Sequence, residues 1–381
     1  MQLRPPPLNG TLLALALAAT FLVGVFVGRL GFPLALLEGV GGQAARPHEP
    51  PSGTATASPG PSSTPPPKPS PTPLPTATRS VPTPTAVPAT PTPPPPPTAT
   101  PVPREPVLKE TKWGVGVYAS GGHLVEALLI SKPGVILLMD PDPAFAREVR
   151  HFFPKALIIG RRFPPNEHQP LDNPEERGRA FADWVAELAV PLKGVVDAWM
   201  SYNEVVGHRD YQAYERYNRF QVAFAERLQG HYGIDAVAGN DAVGTVDPED
   251  YPRYFADAIR ASAYFGVHAY PPRGSRSMRE QAEWYVLRYR KIHAALEAAG
   301  ITGVRMILTE TGLFEGWRGV VSEQEMAEDF MWLTREIEKD PYVVGHTAFG
   351  IFANGTWQHF DLYGTSILTT MGNYEPASPS G

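Results

Sequence analysis

The chain contains no cysteine. That absence removes disulfides, thiolate zinc sites, iron–sulfur clusters and a cysteine nucleophile in one step, and it leaves the redox compartment open. A basic excess is missing too: the formal net charge is −6 over 381 residues, which argues against nucleic acid as a partner. No HExxH, GxSxG or P-loop occurs, and the ten histidines never take the paired spacing of a barrel metallohydrolase, so serine and metal mechanisms are disfavoured. Gly114-Val-Gly116 lacks the third glycine of a dinucleotide-binding turn and opens a strand instead of closing one, so it reads as strand packing.

Aromatic residues are absent from Arg46 to Pro106, where 24 of 61 residues are proline, interleaved with Ser, Thr and Ala. Such a segment cannot bury a core. As polyproline II, rising about 3.1 Å per residue, it forms a semi-rigid spacer of up to ~190 Å. Upstream, Leu8 to Val27 is apolar for about 20 residues, enough to cross a hydrocarbon core of roughly 30 Å. It exceeds the usual apolar core of a cleaved signal peptide, which favours an uncleaved anchor over that alternative. The expected organisation is an anchor or signal segment at 1–31, a disordered linker at 32–106 and a globular domain at 107–381. A stalk of this kind between a membrane and a folded domain suits an extracytoplasmic placement.

The globular part contains eight short apolar runs: Gly114–Ala119, Gly134–Met139, Ala156–Gly160, Gly194–Ser201, Asp235–Gly239, Tyr264–Ala269, Val304–Thr309 and Val344–Phe352. Between most of them lie helical patterns. Asn173 precedes one, the capping boxes Ser277-Met-Arg-Glu280 and Ser322-Glu-Gln-Glu325 open others, and Tyr211–Leu228 is a long amphipathic run. Strands too apolar to have a wet face, alternating with helices, imply a parallel sheet covered by helices. Eight such units in roughly 250 residues match a (β/α)8 TIM barrel. The rival, an open doubly wound sheet, lacks its phosphate turn here.

Barrel chemistry sits at the C-terminal ends of the strands. The residues there are Ser120, Asp140, Arg161 with Arg162, Asn203-Glu204, Asn240-Asp241, His268 and Tyr270, Glu310, and finally Asn354 and Trp357. Strands four and seven end opposite one another and each delivers a glutamate. Two carboxylates facing a cleft suit glycosidic cleavage: one protonates the leaving oxygen while the other, ionised, attacks the sugar or directs water.

Asn203-Glu204 at the end of strand four, with Glu310 inside a Thr-Glu-Thr-Gly at the end of strand seven, resembles clan A, the 4/7 superfamily of retaining glycoside hydrolases. The resemblance implies that Glu204 is the acid/base, Asn203 holds the sugar 2-hydroxyl, Glu310 is the nucleophile and Tyr270 hydrogen-bonds that nucleophile. It also implies an aromatic floor after strand eight, from Phe352 or Trp357, and no metal or organic cofactor. Around Glu204 the chain reads Tyr202-Asn-Glu-Val205 where clan members often read Trp-Asn-Glu-Pro, and the arginines follow strand three instead of strand two. His268, Arg161, Asp140 and Asp241 are further candidates for the sugar site, each also readable as a core or rim residue. Trp317, Trp357 and Tyr363 are loop aromatics able to stack on a sugar face or to pack the loops. The expected activity is hydrolysis of an extracellular poly- or oligosaccharide, with a non-catalytic, membrane-tethered glycan-binding barrel as the alternative.

Overall fold

A computed structural model describes residues 105–376, apart from 166–167, 354 and 356. The proposed anchor and the proline tract lie outside the described residues, among which no helix is long and apolar enough to cross a membrane. Eight parallel strands close into a barrel in sequence order: β1 Gly114–Val117, β2 Val135–Met139, β3 Leu157–Arg161, β4 Ala198–Met200, β5 Asp235–Asp241, β6 Tyr264–Ala269, β7 Met306–Thr311 and β8 Val343–Ile351. The helices are α1 Gly122–Ser131, α2 Pro143–Phe152, α3 Pro174–Ala189, α4 Tyr211–Ala225, α5 Tyr251–Tyr254, α6 Ala256–Ala261, α7 Tyr289–Ala298, α8 Glu323–Glu338 and α9 Ser366–Gly372.

The period-two alternation of the strands divides the core in two. Val135, Leu137, Ile159, Ala198, Met200, Val237 and Ile307 fill the barrel interior. Their neighbours Ile136, Leu138, Ile158, Trp199, Ala236 and Leu308 belong to the larger layer between sheet and helices. Two glycines mark close approaches of strand and side chain. A Cβ on Gly160 would meet the Trp199 indole at 2.5 Å, and one on Gly116 would meet the Tyr118 ring at 2.8 Å. The Gly-x-Gly of β1 is thus used for packing.

Several boundaries depart from the sequence reading. β4 begins at Ala198, because Gly194, at φ +75°, belongs to a turn. β7 runs on to Thr311, so Glu310 sits within the strand. Ser322 and Glu325 form the expected capping box of α8. The Ser277/Glu280 pair makes the same kind of contact, with Glu280 accepting from the Arg276 and Ser277 amides, but turns and a short 3-10 helix at Ala282–Trp284 follow, and the next α-helix starts at Tyr289. Asn173 precedes α3 at φ +45° without a side-chain cap, and Pro174 opens that helix.

The strand ends are irregular where they carry polar residues. On β5, Gly239 pairs with Gly266 and Asp241 with Val267, leaving Asn240 out of register at φ +64°. On β7, Thr309 is passed over between Leu308, which pairs with Val267, and Glu310, which pairs with His268. Such bulges re-aim side chains at the rim of a barrel. Here one turns Glu310 inward beside His268, and the other gives Asp241 the outward parity of Val267.

Candidate active site

Arg161, Asn203-Glu204, His268, Tyr270 and Glu310 converge at the C-terminal end of the barrel. Glu310 is 2% exposed. Its Oε1 accepts from Arg161 Nη1 at 2.7 Å and its Oε2 from the Tyr270 hydroxyl at 3.3 Å. Glu204 is the more open of the two, with 17% of its side chain exposed, and its Oε1 lies 2.7 Å from His268 Nδ1. The same nitrogen is 3.6 Å from Glu310 Oε2. One ligand atom from each of Glu204, His268 and Glu310 falls within 4.8 Å of the others, so the two carboxyl groups approach to that distance or less.

Glu204 is held on a backbone of φ +53°, a left-handed conformation that a residue other than glycine adopts at a cost of order 1–3 kcal/mol. The surroundings enforce it. The Glu204 amide donates to the Asn240 carbonyl at 3.0 Å. Gln169 clamps Asn203 from both sides, accepting from its amide at 2.7 Å and donating to its carbonyl at 2.9 Å. Behind them the Tyr217 hydroxyl sits between the carbonyl oxygens of Tyr202 and Gly239, at 2.6 and 2.7 Å. The Asn203 side chain is buried with its Oδ1 unpaired among the described residues, leaving it free to engage a ligand.

Burial opposes a charge on His268, but the carboxylates of Glu310 and Glu204 outweigh it and raise the ring's pKa. Arg161 pulls the other way. The cluster thus assembles two carboxylates, a guanidinium and an imidazole inclined to carry a proton. A divalent cation is a weaker match for the three donors, because Arg161 already occupies Glu310 Oε1 and would sit beside the ion.

Beside the charges stands an aromatic wall. Tyr118 stacks on Phe352 with centroids 4.6 Å apart and 11° between planes, and Phe349, Trp357 and Phe360 pack edge-on against the same group. Burial, followed by the Glu310 charge, drives the Tyr118 hydroxyl's pKa far above its ordinary value, so it remains a neutral donor. Phe352 and Trp357 thus share the position the sequence reading gave them with Tyr118 and Phe349. Those two and Gln169 were not singled out from sequence, because a tyrosine closing an apolar strand, a phenylalanine inside one and a loop glutamine carry no distinguishing pattern.

Other candidates lie elsewhere. Asp140 accepts from the Phe163 amide at 3.0 Å and pairs with Arg162 at 3.6 Å, securing the loop after β3. Arg162 stacks over Trp184 at 3.7 Å and ties that loop to α3. Trp317 is buried, its indole donating to the Phe360 carbonyl, so it packs a loop and presents no face. Asp241, expected from sequence at the sugar site, is instead 2% exposed behind the sheet, in a small cavity lined by residues of α5, α7 and the segment between them.

No protein-family model matches the chain, and no curated protein matches it. Solved structures do. A family 39 glycoside hydrolase from the gut symbiont Bacteroides cellulosilyticus WH2 is 13% identical, with a TM-score of 0.48, over 68% of this chain and 60% of that one. A GH128 subgroup I endo-β-1,3-glucanase from Amycolatopsis mediterranei is 17% identical, with a TM-score of 0.44, over 69% of this chain and 98% of that one. A GH128 subgroup II enzyme of the same activity from Sorangium cellulosum is 16% identical, with a TM-score of 0.45, over 70% of this chain and 100% of that one. The chain spans 60% of the length of the first of these.

Proposed function

We propose that the barrel is a retaining glycoside hydrolase that cleaves O-glycosidic bonds of a poly- or oligosaccharide. The observation that carries this reading is the approach of the Glu204 and Glu310 carboxyl groups to within 4.8 Å at the open end of the barrel. Double displacement uses carboxyl groups about 5–5.5 Å apart, whereas inversion, which must seat a water between sugar and base, uses about 6.5–9.5 Å.

The unequal surroundings of the two glutamates supply the roles. Glu310 is bonded to Arg161 and Tyr270, so it is a carboxylate fixed in direction and suited to attack the anomeric carbon. As its oxygen forms the new bond, the glycosidic carbon–oxygen bond breaks and Glu204 passes a proton to the departing oxygen. In the second half a water attacks the same carbon, Glu204 takes the water's proton and Glu310 is released. Asn203, with its free Oδ1, and the wall of Tyr118, Phe349 and Trp357 would hold the sugar. The apolar stretch before the proline tract would tether the enzyme outside a membrane.

The test is to incubate the full-length chain with β-linked glucans, xylans, mannans, galactans and arabinosides and to follow the first-formed anomer by proton NMR. Hydrolysis with retained configuration, lost in Glu310→Gln, is expected. Activity that persists undiminished in that variant would overturn the assignment, and glycan binding without turnover in the wild type would replace it with a binding barrel.

A further inference from the structure

Behind the proposed acid/base lies a cavity of about 10 Å³, room for one water molecule, between β5, β6 and the helices α5 and α7. Its lining includes Asp241, Tyr251, His268, Arg288 and Tyr289. Three of these bring buried polar atoms without a protein partner: both carboxyl oxygens of Asp241, Nε2 of His268 and Nε of Arg288. The Tyr251 hydroxyl faces the Asp241 carboxyl only at the margin of hydrogen-bonding geometry. Buried polar atoms are almost always paired, and several unpaired ones around a single water-sized space identify a water site with the required two to four partners.

We propose that Asp241 is a positioning residue for the acid/base, acting through a water in this cavity that joins its carboxylate to His268 Nε2 and so dictates where the imidazole carries its proton. This rests on the glycosidase reading for its consequence, though not for its geometry. The water accepts from His268 Nε2–H and from Arg288 Nε–H and donates to Asp241. With the Nε2 proton fixed in this way, the Nδ1 that faces Glu204 at 2.7 Å is left as the site of exchange. The acid's proton is then shared between Nδ1 and Glu204 Oε1, ready for the leaving oxygen, and it returns there when water is deprotonated.

Among the described residues the groups that face His268 are Glu204 after β4, Glu310 on β7, Arg161 on β3 and Asp241 on β5, with Tyr270 beside the ring and Arg288, Tyr251 and Tyr289 across the cavity. Burial pushes Asp241 up to about 7, opposed by His268 and reinforced by Glu204, so its own titration falls in the range where His268 can report it.

The experiment labels the histidines of the full-length chain with nitrogen-15 and follows His268 through pH by long-range proton–nitrogen correlation, assigned with His268→Gln. In the wild type a neutral His268 protonated at Nε2 is expected, with a second inflection near pH 7 from Asp241. Asp241→Asn should abolish that inflection, lower the His268 titration by about one unit or more and mix the two tautomers. It should also move the alkaline limb of the kcat/KM profile down by a similar interval with little change in KM. Tyr251→Phe, which leaves the carboxylate in place, should preserve the tautomer and serves where Asp241→Asn folds poorly. A single-step wild-type titration, or an Nδ1-protonated neutral ring, would overturn the proposal. The spectra stand apart from turnover: coupling without hydrolysis would refute the proposed enzyme and keep the relay, whereas hydrolysis without coupling would do the reverse.

Discussion

Replacing Arg161 by methionine removes one charge from a nearly sealed ion pair in the barrel and leaves an unbranched side chain in place of the aliphatic stem. The Arg161 and Glu310 side chains are 7% and 2% exposed and meet at 2.7 Å. Breaking a buried pair by deleting one partner costs about 3–5 kcal/mol, because the other charge stays behind without compensation. Glu310 in Arg161→Met would retain only Tyr270 and the more distant His268, and it would face Glu204 across less than 5 Å. We expect the full cost in urea denaturation at neutral pH. Because Arg161 holds the His268 pKa down, its removal should also drive that ring further towards the charged form. Activity should fall about 10²–10³-fold, the loss usual for removing one preorganised donor from a transition state, and Arg161→Lys should restore charge but not direction. A stability change under 1 kcal/mol together with unaltered kcat/KM would refute the account of Glu310 as an arginine-fixed nucleophile.

Two buried groups away from the bond-breaking atoms make opposite predictions for stability against pH. Burial holds His346 down to about 3 from 6.5, neutral between the Thr311 and Thr334 hydroxyls, so the folded state binds fewer protons than the unfolded one. Its contribution is whole above pH 6.5 and is lost at about 1.4 kcal/mol per unit on the way down to pH 3. Asp241, pushed up from 3.8 to about 7, has the reverse sign: its penalty is absent below pH 4 and complete above pH 7. Over the shared window the two slopes offset one another. Asp241→Asn should therefore show stability climbing with pH and exceed the wild type by about 1–4 kcal/mol at pH 8, converging with it at pH 4. His346→Gln should show stability declining with pH between 4 and 7. Thermal melts across pH 4–8 decide both, and parallel curves for all three proteins would contradict them.

The eight strands were legible in the sequence because strands covered on both faces must be continuously apolar. The glutamate pair was legible because a barrel sends the ends of its fourth and seventh strands to facing positions. The departures came where side-chain parity depends on one residue of backbone. Reading β5 as regular gives Asp241 a place at the mouth, but the left-handed Asn240 drops out of register and sends Asp241 behind the sheet. A bulge of this kind has no fixed sequence signature when the residue is asparagine, which serves equally as a turn former, a ligand contact or a strand end. Arg161 and Arg162 were likewise indistinguishable as neighbours in sequence. Alternation in β3 sends Arg161 inward to Glu310 and Arg162 outward to Trp184, and only the register of the strand reveals which is which.

The same register gives the two glutamates different surroundings, which the proposed reaction would use differently. Glu310 lies on a strand, nearly sealed, with a guanidinium and a phenol aimed at its two oxygens, which fixes the direction of its carboxyl group. Glu204 lies four residues beyond the end of β4, on a strained backbone braced by Gln169 and Asn240, with its closest side-chain contact a histidine that itself titrates. In the proposed reaction the nucleophile must keep one direction and the acid/base must surrender and recover a proton, and the unlike neighbours of the two glutamates suit that division. His268 touches both, and the proposed water in the cavity behind it would link Asp241, outside the mouth, to the proton. On that proposal a substitution at Asp241, in the layer between sheet and helices, alters the pH profile of the proposed acid/base without touching a substrate.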